Sequence, residues 1–299
     1  MLALDGVFRY MKSITSREIY MEQHTTGAIN WFQFHIFKQF EGLITHGVFA
    51  RQGGVSRPPF ATLNAGPTVA DDPAALMENY ARIRATLPGH PRLFSAIPGH
   101  DTNMLEVTEA YLDDQQTPAL IVRKDLDGLL TRKRGIGLFW AVADCTTMLM
   151  LDPVHGAIGM IHAGWRGTSQ AIAVKAIHML EDLYGTRPSD LYVGVGPTIG
   201  ACCYEVDEKV RAAFEAHPIA REHAHFTTLQ ATNRAGDTYS SLRLDIAASN
   251  QAQLLAAGVP AEHIEVSGIC TGDRRDLFFS NRMENSNTGR FAVVLALTQ

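Results

Sequence analysis

Cysteine is scarce in this chain, four residues in 299, and two of the four, Cys202 and Cys203, are adjacent. A disulfide framework of the kind that staples small secreted domains is excluded, and thiol or metal chemistry is the better expectation for Cys145, Cys202, Cys203 and Cys270. Cations are not in excess either: 26 Lys and Arg against 31 Asp and Glu leave a net charge of −5. That balance argues against gripping a nucleic-acid backbone, which needs basic residues to displace condensed counterions. Long apolar runs are missing too. Stretches such as Ile158 to Ala163 and Phe291 to Leu297 fall far short of the roughly 20 residues that span a bilayer, so no membrane partner is expected. The first residues carry charges at Asp5, Arg9, Lys12 and Arg17 and no apolar run of secretory length, which makes a cytoplasmic location the expectation.

What is present is a globular composition, 46% hydrophobic and 19% charged, which excludes a disordered chain, a coiled coil or a fibre. Residues 1–30 lack a sustained period and read as a flexible N-terminal extension, with Met11 and Met21 as alternative starts. Residues 31–299 read as one α/β domain, because strand and helix signals alternate through them without a linker or repeat. Asp71 or Asp72 as N-cap, Pro73 in the first turn and Leu76, Tyr80, Ile83 and Leu87 on one side predict a helix over 71–87. The runs ALIVRK, GIGLFWAV, TTMLMLD and Ala157 to His162 predict strands, Thr168 to Tyr184 a helix with Ile172, Ala176, Leu180 and Leu183 inward, closed by Gly185. LYVGVGP and RFAVVLAL read as strands, DEKVRAAFEAH and LRLDIAASNQAQLLAAG as helices. The stretches FTTLQATNRAGDTYSS and NRMENSNTG read as surface excursions.

The strongest local signal is ADCTTMLMLDPVHGAIGMIHAGWRG, Ala143 to Gly167. A hairpin turn centred between Pro153 and Val154 places Cys145 opposite His162, with Cβ atoms about 4.5–5.5 Å apart on one face. That separation suits two ligands of one metal, or a thiol with its imidazole base. It equally suits a buried cysteine and a satisfied histidine that merely end two strands. Downstream, Gly164, Gly167 and Thr168 at the start of a helix, with Arg166, form a candidate anion site, although the two glycines also serve a tight strand-to-helix turn. Arg51, in ARQGGVS, has the same two readings.

The chain resembles the YfiH family, also called the laccase-domain or polyphenol oxidase family, whose members include the peptidoglycan editing factor. The resemblance rests on HGVFARQGGVSRPPFATLN, ADDPAALMENYARI, ADCTTMLMLD, IHAGWRGT, GVGPTIGACCYEVDEKV, LDIAASNQAQLLAAGV, ICT and FFSNR followed by NTGRFAVV, in family order from about His46 to the C-terminus. It implies a single-domain layered α/β/β/α sandwich and a zinc centre, with copper as the other candidate ion, held by two histidines and one cysteine. The family's Ala-Asp-Cys and His-Ala-Gly-Trp-Arg-Gly motifs fall on Cys145 and His162, and AIPGHDTNMLEV supplies His100 as the third ligand. Pro98 and Gly99 stand where the family has Gln-Val, Asp101 replaces a small residue, Thr147 a common proline, and NRMENSN departs from a two-arginine ending near Met283. Three ligands leave the fourth tetrahedral position for a reactant.

By resemblance the activity is phosphorolysis of adenosine, inosine and methylthioadenosine to base and ribose 1-phosphate, together with adenosine deamination through a zinc-bound hydroxide. The partners implied are a small nucleoside and phosphate, with a monomer or homodimer as the assembly. Arg51, Arg166, Gly164 and Gly167 are the candidates to hold phosphate. Asn64, Cys203 and Tyr204 are candidate substrate contacts, and Asp144 is a candidate proton acceptor, although strand alternation points it away from Cys145. Two other functions compete: copper-dependent phenol oxidation, for which no histidine-rich cluster is evident, and editing of peptidoglycan precursors with Cys145 as nucleophile.

Overall fold

The computed structural model describes residues 20–111, 119–232 and 235–298. Two sheets dominate it. The first runs, in spatial order, through β1 (Glu22–Thr26), β2 (Ile29–Gln33), β3 (Ile44–Phe49), β15 (Phe291–Leu297), β8 (Ile136–Val142), β4 (Arg92–Ile97) and β6 (Ala119–Lys124). The second runs through β14 (Ile264–Val266), β11 (Tyr192–Val195), β9 (Thr146–Asp152), β10 (Ala157–Ala163), β7 (Gly128–Thr131) and β5 (Met104–Glu106). Both are mixed: β4 lies parallel to β6 and β8, and β11 parallel to β14, while β15 is antiparallel to β3 and β8.

The layering follows from side-chain alternation. Leu138, Trp140 and Val142 of β8, and Val293, Leu295 and Leu297 of β15, share one core with Leu149 and Leu151 of β9 and Ile158 and Met160 of β10. These are the facing sides of the two sheets, and a period of two sends the intervening residues outward. Phe139, Ala292 and Val294 accordingly meet α1 (Pro73–Thr86) through Tyr80 and Ile83. Met148, Met150 and Ile161 meet α3 (Ile172–Tyr184) and α6 (Ile246–Ala256) through Ile172, Ala176, Leu180 and Leu254. The order helix, sheet, sheet, helix is thus the expected α/β/β/α sandwich. The Trp140 indole donates to the Met160 carbonyl at 2.9 Å across the buried interface.

Several expectations need correction. Residues 22–30 are not extension: β1 pairs with β2 in register from Glu22 opposite Gln33 to Thr26 opposite Ile29, because a tight turn lets this polar edge strand continue the sheet. The expected extension over 1–19 lies outside the described residues. The helix expected over 168–184 is two helices, α2 (Trp165–Ser169) and α3, broken where Ala171 takes a left-handed conformation, φ 55°. Leu183 is 39% exposed rather than inward. The first residues of LRLDIAASNQ belong to β13 (Thr238–Leu244), and α6 starts only after Asp245, whose carboxylate caps the Ala248 N–H at 2.9 Å. Asp72 is the N-cap of α1, accepting from Ala74 at 2.9 Å, and Gly185 closes α3 with φ 75°. The polar excursion is a two-stranded ribbon of β12 (Phe226–Thr232) and β13, while α4 (Glu208–Glu215) and α5 (Pro218–Glu222) pack beside it around Phe214 and Ala220.

Candidate metal centre

β9 and β10 form the expected hairpin, but its register is shifted. Ala157 pairs with Asp152, so His162 faces Thr147 rather than Cys145. The turn holds four residues because the Asp152 carboxylate accepts from the Val154 and His155 amides at 2.8 and 3.0 Å and Gly156 takes φ 62°. The shift is an even number of positions, which preserves faces. Cys145, Thr147 and His162 stay on the side that Leu149, Leu151, Ile158 and Met160 present to the other sheet. The site therefore opens at the mouth between the two sheets.

His100 arrives there from the loop after β4. The ligand atoms of His100, Cys145 and His162 all lie within 4.8 Å of one another. The two imidazoles meet edge to face, 5.2 Å between centroids at 89°, and Trp140 lies 5.7 Å behind the His162 ring. His162 is buried, Cys145 half-buried and His100 exposed, so the cluster has a solvent side.

Asp127, which nothing in the sequence marked, organises this arrangement. Its carboxylate accepts from the His162 Nδ1 at 2.8 Å, the His100 amide at 3.0 Å and the Asp101 amide at 2.9 Å, and its carbonyl accepts from the His162 amide at 2.8 Å. With Nδ1–H directed at a carboxylate, Nε2 of His162 is the nitrogen left to ligate. The two loop amides hold His100 in a left-handed conformation, φ 59°, which a non-glycine residue adopts only when its surroundings impose it. Burial disfavours the Asp127 charge, but these donors prevail and its carboxyl is held below the ordinary range.

Where the sequence departs from the family around His100, the structure supplies compensating contacts. A Cβ at Gly99 would lie 2.8 Å from the Asp125 Cα, so the loop closes only with glycine there. The Asp101 carboxylate accepts from Gln170 Nε2 at 3.1 Å, and Lys175 Nζ reaches Thr102 Oγ1 at 3.0 Å. Gly164 and Gly167 also act through space they leave free. A Cβ at Gly164 would stand 3.2 Å from Cys145 Sγ and 3.5 Å from His100 Cδ2, and one at Gly167 would stand 3.1 Å from the Asp101 carbonyl.

The donor chemistry fits a borderline or soft cation: two imidazole nitrogens and a thiolate, with a carboxylate behind one ring. Burial raises the Cys145 thiol, but the charge of His162 and hydrogen bonds from both rings bring it down to about 6. Burial likewise opposes charge on His162, yet Cys145 and Asp127 push it up to about 9. Cys145 and His162 are thus poised as thiolate and imidazolium, and a cation exchanges for that proton.

The other expected site residues are placed differently. Asp144 is buried, with φ 86°, and its carboxylate oxygens accept from Thr271 Oγ1 at 2.6 Å and the Arg282 amide at 2.7 Å, so it ties loops together. Burial raises its carboxyl despite these donors. The Arg51 guanidinium donates to Glu284 and the Arg275 carbonyl at 3.0 and 2.9 Å and stacks 4.3 Å over Phe279, which makes it a loop clamp. Asn64, fully buried, joins Asp71, Gly66 and the Arg290 amide. The helix expected to offer amides to an anion is only the five residues of α2, and the Thr168 amide is spent on the Gly164 carbonyl at 3.0 Å. Arg166 is exposed and stacks 4.3 Å over Trp165.

Two further cations escaped the sequence reading. Arg290 is half-buried, held by the Thr288 and Gly289 carbonyls and Asn281 Oδ1 at 2.9–3.0 Å, with its charge in electrostatic reach of Cys145 and Asp144. Arg282 lies 4.9 Å over the Tyr204 ring, whose phenol burial keeps protonated. NTGRFAVV was legible as a family segment, but only the fold brings Arg290 within electrostatic reach of Cys145.

The chain matches the family model described as multi-copper polyphenol oxidoreductase laccase over residues 45–298. It is 34% identical over 258 residues to a Geobacillus stearothermophilus protein named purine nucleoside phosphorylase YlmD, covering 86% of this chain and 90% of that protein. It is 33% identical over 248 residues to a Bacteroides thetaiotaomicron purine nucleoside phosphorylase, covering 83% and 89%. Its structure is similar to that of G. stearothermophilus YlmD, with a TM-score of 0.77, 31% identity and coverage of 94% and 100%. Bacillus licheniformis YfiH gives 0.76, 29%, 92% and 99%. The chain belongs to this laccase-like family, whose named relatives include purine nucleoside phosphorylases.

Proposed function

We propose that this member of the family is a zinc-dependent purine nucleoside enzyme. It would cleave adenosine, inosine and methylthioadenosine with phosphate to base and ribose 1-phosphate, and deaminate adenosine at the same cleft. The observation that carries the reading is the convergence of His100, Cys145 and His162 on one point, with Asp127 behind His162. These three side chains would hold the ion, zinc or the copper of the family's name, and when bound it would supply Lewis acidity there. Asp127 fixes the tautomer and direction of His162 and the loop that delivers His100.

Phosphate needs fixed positive charge beside the reacting sugar. Arg290 fits this need best, because its guanidinium hydrogen bonds go to neutral oxygens, no direct ion pair engages it among the described residues, and its charge is in electrostatic reach of Cys145. Arg166 and Arg282, each stacked on an aromatic ring, add positive potential at the cleft rim. Tyr204 keeps its proton at neutral pH and lies in electrostatic reach of Cys145, which suits a donor to a leaving group. Incubation with adenosine, with and without phosphate, tests the reading. Adenine and ribose 1-phosphate should appear only with phosphate, inosine should appear in either case, and both activities should stop on chelation and return with zinc. Full-rate turnover by metal-free protein would overturn it.

A specific observation favours a second reading. Cys145, His162 and Asp127 also stand in the thiol, imidazole, carboxylate order of a cysteine nucleophile and its oriented base. In that case a peptidoglycan-like acyl compound would label Cys145 and activity would persist without metal. Copper-dependent phenol oxidation is less well supported, because neither ligand cluster among the described residues adds the further histidines of a multicopper centre.

A further inference from the structure

The remaining three cysteines, which the proposed reaction does not use, also converge. Cys202, Cys203, Cys270 and Asp273 come from two distant segments, and their sulfur and carboxylate atoms all lie within 4.8 Å of one another. The segments are joined by a parallel bridge between Thr198 and Cys270, closed by hydrogen bonds from the Thr198 amide to the Ile269 carbonyl and from the Thr271 amide to the Thr198 carbonyl at 3.2 and 3.0 Å. A turn then brings the Cys203 and Tyr204 amides back to the Gly200 carbonyl, both at 2.9 Å, which aims the neighbouring sulfurs at Cys270.

We infer that this cluster is a second metal site, a closed three-thiolate, one-carboxylate site for zinc that holds the two segments together. Four observations carry it. The donor set has the number and softness of a structural zinc site, which takes four protein ligands. The spacing is right: sulfur and oxygen around a tetrahedral zinc stand about 3.6 Å apart, from bond lengths of about 2.3 and 2.1 Å. The Asp273 oxygens lie 3.3 Å from Cys202 Sγ and 3.3 Å from Cys203 Sγ. The Gly200 amide donates to Cys270 Sγ at 3.2 Å, and the Asp273 amide also donates to that sulfur, so the backbone fixes it facing the other three donors. Two glycines clear the space: a Cβ at Gly272 would lie 2.8 Å from Cys203 Cβ, and one at Gly200 would lie 3.3 Å from Cys202 Sγ and Cys270 Cβ.

Arg243, ion-paired with Glu205 at 3.5 Å, donates to the Cys202 carbonyl at 3.3 Å and so fixes the backbone that carries the first of these sulfurs. On binding, zinc takes the place of the thiol protons, which leave to solvent, and no oxidant is required. The site is a brace. Thr271 and Thr198 next to it hold the side chain and carbonyl of Asp144 at 2.6 Å each, and Asp144 adjoins Cys145.

The test is a metal count on the full chain, loaded with zinc and freed of loosely held ion by gel filtration. Two zinc ions per chain are expected for the wild type, one for Cys145→Ser, which keeps the second site alone, and one for Cys202→Ser/Cys270→Ser. Asp273→Ala, an exposed position with little bearing on folding, should also fall from two to one. Cobalt loaded into Cys145→Ser should give a thiolate charge-transfer band. The inference is overturned if Cys145→Ser retains no zinc, if cobalt there shows no thiolate band, or if peptide mapping of the untreated protein finds Cys270 joined to Cys202 or Cys203 as a disulfide.

Discussion

Replacing Asp127 with asparagine tests the organisation of the centre without touching a ligand. The native carboxylate accepts three hydrogen bonds, from His162 Nδ1, the His100 amide and the Asp101 amide, at 2.8–3.0 Å. An asparagine has one side-chain oxygen, so its NH₂ group must face either the Asp101 amide or the pair formed by His100 and His162, donor against donor. At best two bonds survive without charge assistance and one buried amide is orphaned, a loss of about 1–3 kcal/mol. Carboxylates behind a ligating histidine are worth about 10–100-fold in metal affinity, or about 1.4–2.8 kcal/mol. Competition against a graded chelator, read as zinc retained per chain in a Cys202→Ser/Cys270→Ser background that leaves this centre alone, measures this directly. The variant should remain folded by circular dichroism and release zinc at a 10–100-fold lower chelator strength. A folded Asp127→Asn protein holding zinc as tightly as wild type would refute the assignment of Asp127 to the centre.

Other perturbations separate the parts of the account. Gly164→Val places methyl groups against Cys145 and His100, where even a single Cβ stands at 3.2 and 3.5 Å, so metal retention should fall by about tenfold or more while the rest of the sandwich stays folded, by the same chelator assay and circular dichroism. Arg290→Gln should raise the KM for phosphate about tenfold, the worth of one charge-assisted hydrogen bond, and leave phosphate-free deamination nearly unchanged, checked by parallel product assays. His46 supplies a pH dependence remote from the cleft. It is buried, its Nε2 accepts from the Phe34 amide at 2.9 Å, and burial, with a smaller repulsion from His24, pulls its pKa down to about 3. A base depressed on folding binds fewer protons in the native state, so its stability is whole above about 6.5 and drains away as pH falls toward 3. At pH 5 the loss is about 2 kcal/mol, and His46→Gln should flatten the unfolding-midpoint profile between pH 7 and 5.

The candidate ligands Cys145 and His162 were legible because Ala-Asp-Cys and His-Ala-Gly-Trp-Arg-Gly are local motifs, and the layers because alternating and helical periods are local as well. The hairpin register was not, since Asp152 capping two turn amides lengthens the turn, and only the even shift kept Cys145 and His162 on one face. Asp127 was hidden because its partners lie 26 to 35 positions away and DLDG carries no recognisable spacing. Arg51, Asn64 and Asp144 were candidates by residue type, and the sequence did not reveal the tertiary hydrogen bonds that each makes to distant loops. The break at Ala171 and the convergence of Cys202 and Cys203 on Cys270 likewise depend on contacts between segments, which periodicity does not encode.

The most direct measurement is the zinc dependence of adenosine phosphorolysis in the wild type beside Cys145→Ser and His100→Ala. The account predicts that ribose 1-phosphate formation disappears when the wild type is stripped of metal, returns in proportion to zinc bound at the His100, Cys145 and His162 centre, and stays absent in both variants. Metal-free protein, or either variant, forming ribose 1-phosphate at the wild-type rate would contradict it.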